Sequence, residues 1–83
     1  MAEVGDKYKV IKEIEGVNFS IDGRHTFLPG AEIGEILTVS DDFSKSSYTP
    51  PKDILCLINE DGDVVCEIGS VNFKECAEKV EEE

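Results

Sequence analysis

The chain has 83 residues, of which 19 are acidic and 8 basic, so its formal net charge is −11. So large a negative charge disfavours direct binding to nucleic acid or anionic membranes and favours association with basic surfaces. The length suits one domain, and a hydrophobic share of 40% excludes a wholly disordered chain. The first residues lack the apolar run of a signal peptide, and no stretch is long enough for a membrane span. We therefore expect a cytoplasmic protein.

The charge is unevenly distributed along the chain. Residues 1–30 hold five acidic and four basic residues, whereas residues 31–83 hold fourteen acidic and four basic ones. The excess of negative charge therefore lies almost wholly after residue 30. We expect a single domain over residues 1–80, followed by an acidic tail at 81–83.

The first half of the chain has the pattern of strands separated by turns. Residues 7–14 alternate between apolar and polar side chains, as a half-buried strand does. Asp22-Gly23 is typical of a two-residue turn and predicts a short hairpin arm that returns at residues 26–28. Pro29-Gly30 predicts the next turn, and residues 33–39 the next strand.

Residues 40–53 have the composition of a loop, and Pro50-Pro51 excludes a central strand there. A loop of this length in a small domain indicates either a functional or a mobile segment. It contains Phe43 and Tyr48, and an aromatic side chain in a polar loop can anchor a partner. The alternative is that both rings pack back over one end of the fold.

The clearest local pattern is a hairpin over residues 54–68, with two apolar runs on either side of Asp61-Gly62. A two-residue turn there pairs Leu57 with Cys66 and places Cys56 and Cys66 on opposite faces, so these cysteines should not form a disulfide. Both faces of this hairpin are apolar. The second face must therefore be covered by another segment or by a second chain, which is a hint of a homodimer.

The order of these elements resembles that of an SH3-like barrel. Residues 34–39, Gly-Glu-Ile-Leu-Thr-Val, are similar to the strand after the diverging turn, and residues 68–73, Ile-Gly-Ser-Val-Asn-Phe, to the segment that makes the final 3₁₀ turn. The resemblance covers residues 7–75 and implies an all-β barrel of about five strands. Residues 71–80 fit a short strand, a helical turn or a short C-terminal helix, and Ser70 could cap such a helix. The chain has no Trp, and Gly69 replaces the groove proline of SH3 domains. The resemblance therefore does not extend to binding of proline-rich peptides.

In size and charge, and in its expected β-rich architecture, the chain also resembles phage-encoded inhibitors that mimic DNA, including those that block the bacterial nucleoid protein HU. That resemblance implies carboxylates displayed where a duplex displays its phosphates, so that they meet the Lys and Arg of a basic nucleic-acid-binding protein. We predict such a non-enzymatic inhibitor; the alternative is an SH3-like adaptor or structural module that binds a protein through the 40–53 loop. The candidate partner-binding residues, on loops, turns and strand ends, are Asp41, Asp42, Asp53, Glu60, Asp61, Asp63 and Glu67, with Phe43 and Tyr48.

The sequence offers little support for metal or catalytic chemistry. A lone His25 and the absence of a CxxC pair disfavour a zinc site. The turn around Gly62 lacks the Glu that a calcium loop needs six residues later, because Ile68 stands there. Asp41-Asp42 is a paired carboxylate of the kind that points apart into solvent. We expect no cofactor, no bound metal and no catalysis.

Overall fold

The structure is a computed structural model that describes residues 3–46, 48–50 and 53–81, and of Ile21 the backbone only. Its described part is mostly β-structure with one short helix near the C-terminus, so the predicted all-β fold class is confirmed. The elements are β1 (Lys7–Val10), β2 (Val17–Ile21), β3 (Arg24–Leu28), β4 (Ile36–Ser40), β5 (Cys56–Ile58), β6 (Val64–Glu67), α1 (Val71–Cys76) and β7 (Ala77–Lys79).

Five strands form one antiparallel sheet in the order β6-β5-β4-β1-β7, and β2 pairs with β3 to form the hairpin arm. In the described part of the chain β6 and β7 are the two edges of this sheet. Backbone hydrogen bonds therefore do not close the sheet into a barrel. The elements nevertheless follow one another as the sequence indicated: a first strand, an arm, a turn and three strands. Residues 71–79, for which a strand and a helix were alternatives, form a helix followed by a short strand.

The core lies on the inner face of the sheet. Val10, Leu37, Val39 and Leu57 come from three adjacent strands and have no exposed surface. Tyr8 packs edge to face against a ring of α1, that of Phe73, at a centroid distance of 5.0 Å. Burying a side chain of this size contributes about 1.5–3 kcal/mol, so a small number of such residues holds the sheet together.

Strand β1 is shorter than the predicted strand at 7–14. Its regular pairing with β4 and β7 ends at Val10, and Ile14 returns to the core only through an isolated bridge to Ala31. The N–H of Ile11 still donates to the carbonyl of Cys76, in register with the Val10–Ala77 pair, and the chain leaves the sheet after this bond. The buried residues still alternate as the sequence indicated, since Tyr8, Val10 and Ile14 are all buried.

The predicted strand at 33–39 begins late, at Ile36. A turn in which the N–H of Glu35 donates to the carbonyl of Glu32 precedes it, and Gly34 has a φ of +98°. Ile33 is 67% exposed and lies outside the sheet. The apolar pattern alone does not show where this turn stops and the strand starts.

The β5–β6 hairpin has the predicted register at Leu57 and Cys66 but a different turn. The loop has three residues, because the N–H of Asn59 donates to the carbonyl of Asp63 and that of Gly62 to the carbonyl of Asn59. The Asn59 side-chain oxygen accepts from two further N–H groups of the loop, which stabilises the longer turn. A bulge between Leu57 and Ile58 pairs Ile58 with Val64 and restores the register.

Helix α1 begins at the predicted cap. The Ser70 hydroxyl accepts from the N–H of Phe73 at 3.1 Å, which satisfies one of the free donors of the first turn. The helix has six residues and leads directly into β7, which pairs with β1. Among the described residues no helix is long and apolar enough to cross a membrane.

Gly30 is expected to be intolerant of substitution because it lies beside the Ile14–Ala31 bridge. A Cβ there would overlap the carbonyl oxygen of Ile14 and lie 2.8 Å from the N of Gly16. Gly30→Ala should lower the free energy of unfolding by about 2–3 kcal/mol, measured by urea denaturation. Gly23→Ala is the control, since its φ is +77° but no atom lies within 4 Å, and it should cost about 1 kcal/mol. An equal loss in both variants would show that the bridge is not tightly packed.

Candidate functional site

Residues 41–46 and 48–50, called the strap below, lie between the end of β4 and the outer face of the β5–β6 hairpin. The Ser46 hydroxyl accepts from the N–H of Val64 at 3.2 Å. The side chain of Lys45 crosses Gly62 so closely that a Cβ on that glycine would lie 3.0 Å from Lys45 Cδ. These contacts fix the strap against both the turn and β6.

The strap explains how the second apolar face of the hairpin is covered. Leu57 belongs to the inner core, so its neighbour Cys56 faces outward, and yet Cys56 and Val64 have no exposed surface. The sequence allowed either another segment of the chain or a second chain to cover this face, and in the structure a segment of the same chain covers it. This face therefore gives no argument for a second chain.

Tyr48 packs back onto the fold, as in the second of the two alternatives for the loop aromatics. Its ring meets that of Phe19 on the arm at a centroid distance of 6.3 Å, and its hydroxyl donates to Glu67 Oε2 at 2.8 Å. Burial and the Glu67 carboxylate raise the pKa of Tyr48 to about 12. Phe43 is half-buried, and its carbonyl accepts from the N–H of Ser46.

The contact between Tyr48 and Phe19 forms part of a second feature, which we call the arm cleft. It has a volume of about 280 Å³ and lies between the arm, strand β6 and the start of α1. Among its described lining residues Glu67 is the only carboxylate and none is basic. The residues that line it are Phe19, Leu28, Tyr48, Val64, Val65, Cys66, Glu67, Ser70 and Asn72.

Five of the seven predicted acidic residues lie along one region, the acidic end, where the strap meets the β5–β6 turn. Asp42 and Glu60 line one shallow cleft together with Lys45 and Asn59. Asp41 is next to Asp42, and the turn itself carries Asp61 and Asp63. Of the five acidic side chains, all are exposed except that of Asp63, which is half-buried.

Local hydrogen bonding keeps one of these carboxylates ionised. The N–H of Ser44 donates to Asp42 Oδ1 at 3.1 Å, and this bond lowers the pKa of Asp42. The Ser40 hydroxyl accepts from the N–H of Asp42, which fixes the start of the strap. The acidic end therefore has an ordered backbone as well as negative charge.

The other two predicted acidic residues lie elsewhere. Asp53 is exposed with a φ of +73°, a conformation that Asp tolerates better than most residues, and it follows the strap. Glu67 faces the arm cleft and is engaged by Tyr48. The predicted acidic set thus divides into five residues at the acidic end, of which all but Asp63 are exposed, the exposed Asp53, and the partly buried Glu67.

The three cysteines and His25 are the side chains with the chemistry of a nucleophile or a soft metal ligand. In residues 3–46, 48–50 and 53–81, no three His, Cys, Asp or Glu side chains are grouped as a metal ion would require. All three cysteines are free and buried, and burial raises the pKa of Cys56 to about 12 and that of Cys66 to about 11. These two thiols stay protonated at neutral pH and are poor nucleophiles. His25 lies on the exposed arm and is 3.2 Å from the Asn18 side chain.

Comparison of the chain with protein-family models, with curated proteins and with solved structures gives no significant match. The function of the chain is therefore inferred from its own geometry and charge.

Sequence reasoning did not identify Ser46 and Phe19 as parts of the site. Ser46 bonds Val64, eighteen residues later, and Phe19 reaches Tyr48 from the arm. No local pattern signals either contact, because each depends on where the strap and the arm lie in space.

The hydroxyl of Tyr48 is expected to hold the strap through a single strong hydrogen bond. Tyr48→Phe keeps the ring contact with Phe19 and should lower the free energy of unfolding by about 0.5–1.5 kcal/mol. Since the pKa is raised from 10.0 to about 12, this contribution is fully present below pH 10.0 and is lost as the pH rises through about 12. The difference in tyrosinate absorbance between the wild type and Tyr48→Phe should show that midpoint. A midpoint near the ordinary value would contradict the contact with Glu67.

Proposed function

We propose that the chain is a non-enzymatic, cytoplasmic binding protein whose acidic end engages a basic, nucleic-acid-binding protein in place of DNA. The observation that supports this is the convergence of two acidic segments, one on the strap and one on the β5–β6 turn, along a shared cleft. They are separated in sequence and meet because the strap is bound to β6 through Ser46.

Three of the basic side chains lie toward the edge of the sheet away from the acidic end, whereas Lys45 lies within the acidic end. Lys7 and Lys9 lie on β1, where Lys7 donates to the Thr38 hydroxyl, and Lys79 of β7 lies 3.6 Å from Asp6. Strands β1 and β7 occupy one edge of the sheet, and the β5–β6 turn belongs to the other. The acidic end holds five carboxylates against the single Lys45 of its cleft, and this net negative charge attracts a basic partner.

Exposed carboxylates act on a basic partner mainly through their summed field. An exposed ion pair contributes only about 0.2–1 kcal/mol, so several must act together, and salt screens them over about 8 Å at physiological strength. A protein that binds duplex DNA presents arrayed Lys and Arg to closely spaced phosphates. Carboxylates on an ordered turn and strap offer such an array an alternative set of anions.

The proposal predicts that the position of the charges matters as well as their number. Asp42→Asn, Glu60→Gln and Asp61→Asn together should weaken binding to a purified basic nucleoid protein such as HU by about tenfold or more. The matched control is Glu13→Gln, Glu15→Gln and Asp22→Asn, which removes the same charge from exposed positions in the first thirty residues. Titration calorimetry measures the affinity of both triple variants for the nucleoid protein, at low and high salt and with duplex DNA as competitor.

The control variant should bind nearly as well as the wild type, and binding should fall steeply with salt and compete with DNA. Equal losses in the two triple variants would show that only net charge matters. Binding that is insensitive to salt would remove the mimicry proposal.

A second candidate function, an adaptor or structural module that binds a protein partner through the strap, is favoured by the arm cleft beside Tyr48. This cleft is largely apolar and is open to solvent between the arm and β6. An adaptor should lose its partner on Phe43→Ala or Tyr48→Ala, and its binding should persist at high salt because apolar contacts are not screened. A pull-down from lysate at two salt concentrations, with both variants as bait, separates the two functions. Loss of the partner at high salt in the wild type would count against the adaptor.

A further inference from the structure

The arm cleft contains a carboxylate without a cation beside it. Glu67 is partly buried, and its Oε2 accepts the hydroxyl of Tyr48, a neutral donor. No basic side chain of the described residues forms an ion pair with Glu67, and none lines the arm cleft. A carboxylate among apolar side chains interacts with a cation more strongly than one in bulk water, because the surroundings screen the charge less.

The walls of the cleft restrict what can occupy it. Phe19 and Tyr48 present two aromatic rings inclined at 63° to each other, and Leu28 adds an aliphatic side chain. A volume of about 280 Å³ lies below the range usual for pockets that hold drug-sized ligands, and it suits one long side chain better than a cofactor. An occupant must therefore combine an apolar or stacking stem with a positive end.

We propose that the arm cleft receives an arginine side chain of a protein partner, with the guanidinium paired to Glu67. A guanidinium is planar and weakly hydrated, stacks on aromatic rings and bonds a carboxylate through several N–H groups at once, whereas an ammonium is a strongly hydrated point charge. Because the net charge of the chain is −11, a basic partner is also favoured at longer range. This inference takes the basic character of the partner from the proposed function but places one of its residues at a different site.

The test uses a peptide in which only the charge of the side chain changes. Acetyl-Gly-Arg-Gly-amide is titrated into the isotopically labelled protein, and the backbone amide shifts of Phe19, Tyr48, Cys66 and Glu67 are followed by NMR. These shifts should move and saturate. The same peptide with citrulline, which keeps the shape of arginine without its charge, should bind about tenfold more weakly.

Variants of the protein test the contribution of Glu67 to the same contact. Glu67→Gln keeps an oxygen that can accept the Tyr48 hydroxyl, so the strap stays in place, and it should weaken binding of the arginine peptide about tenfold. Glu60→Gln removes the same charge from the exposed acidic end and should leave that binding unchanged. Equal binding of the arginine and citrulline peptides, or no effect of Glu67→Gln, would overturn the inference, as would shifts confined to the acidic end.

The proposal for the arm cleft and the proposal for the acidic end can be disproved independently of each other. If the acidic-end triple variant loses the nucleoid protein while the arginine peptide does not bind, the arginine site is overturned and the proposed function stands. If the peptide binds at Glu67 while HU does not bind the protein, the cleft is supported and the mimicry proposal is not.

Discussion

A hairpin with apolar side chains on both faces needs two covers, and the β5–β6 hairpin obtains the second from the strap. The inner face packs into the core through Leu57, and Cys56 and Val64 on the outer face are fully buried within the same chain. Ser46 of the strap bonds Val64, and Phe19 of the arm lies beside it. Burial of apolar surface supplies the driving force, and the bond from Val64 to Ser46 fixes the position. The positions of the acidic end and of the arm cleft follow from that arrangement.

The path of the strap creates both candidate regions. At its start it brings Asp42 to the same cleft as Glu60, and further along it places Tyr48 against Phe19 and Glu67. One region is exposed and depends on summed charge, so salt weakens it strongly. The other is a partly buried cleft in which a single charge pair is screened less. A partner that uses both would combine fast, steered encounter with a specific contact.

Much of the fold could be predicted from the sequence where the signal is local. Asp22-Gly23 and Ser70 gave the correct turn and helix cap because each acts on its immediate neighbours. The β5–β6 turn was predicted one residue too short, since the bonds that the Asn59 side-chain oxygen accepts from the N–H groups of Asp61 and Asp63 outweigh the preference of Asp-Gly for a two-residue loop. The path of the strap was not predictable, because it depends on contacts such as Tyr48 with Phe19 that join distant parts of the chain.

The most direct test of the account is the alkylation rate of Cys56, the thiol beneath the strap, followed by mass spectrometry as the protein is diluted through the micromolar range. If the chain covers its own hairpin, Cys56 should be equally protected at every concentration, and Tyr48→Ala should increase its rate of alkylation. If a second copy provides the cover, alkylation of Cys56 in the wild type will accelerate on dilution, and the strap will not be the cover that this account requires.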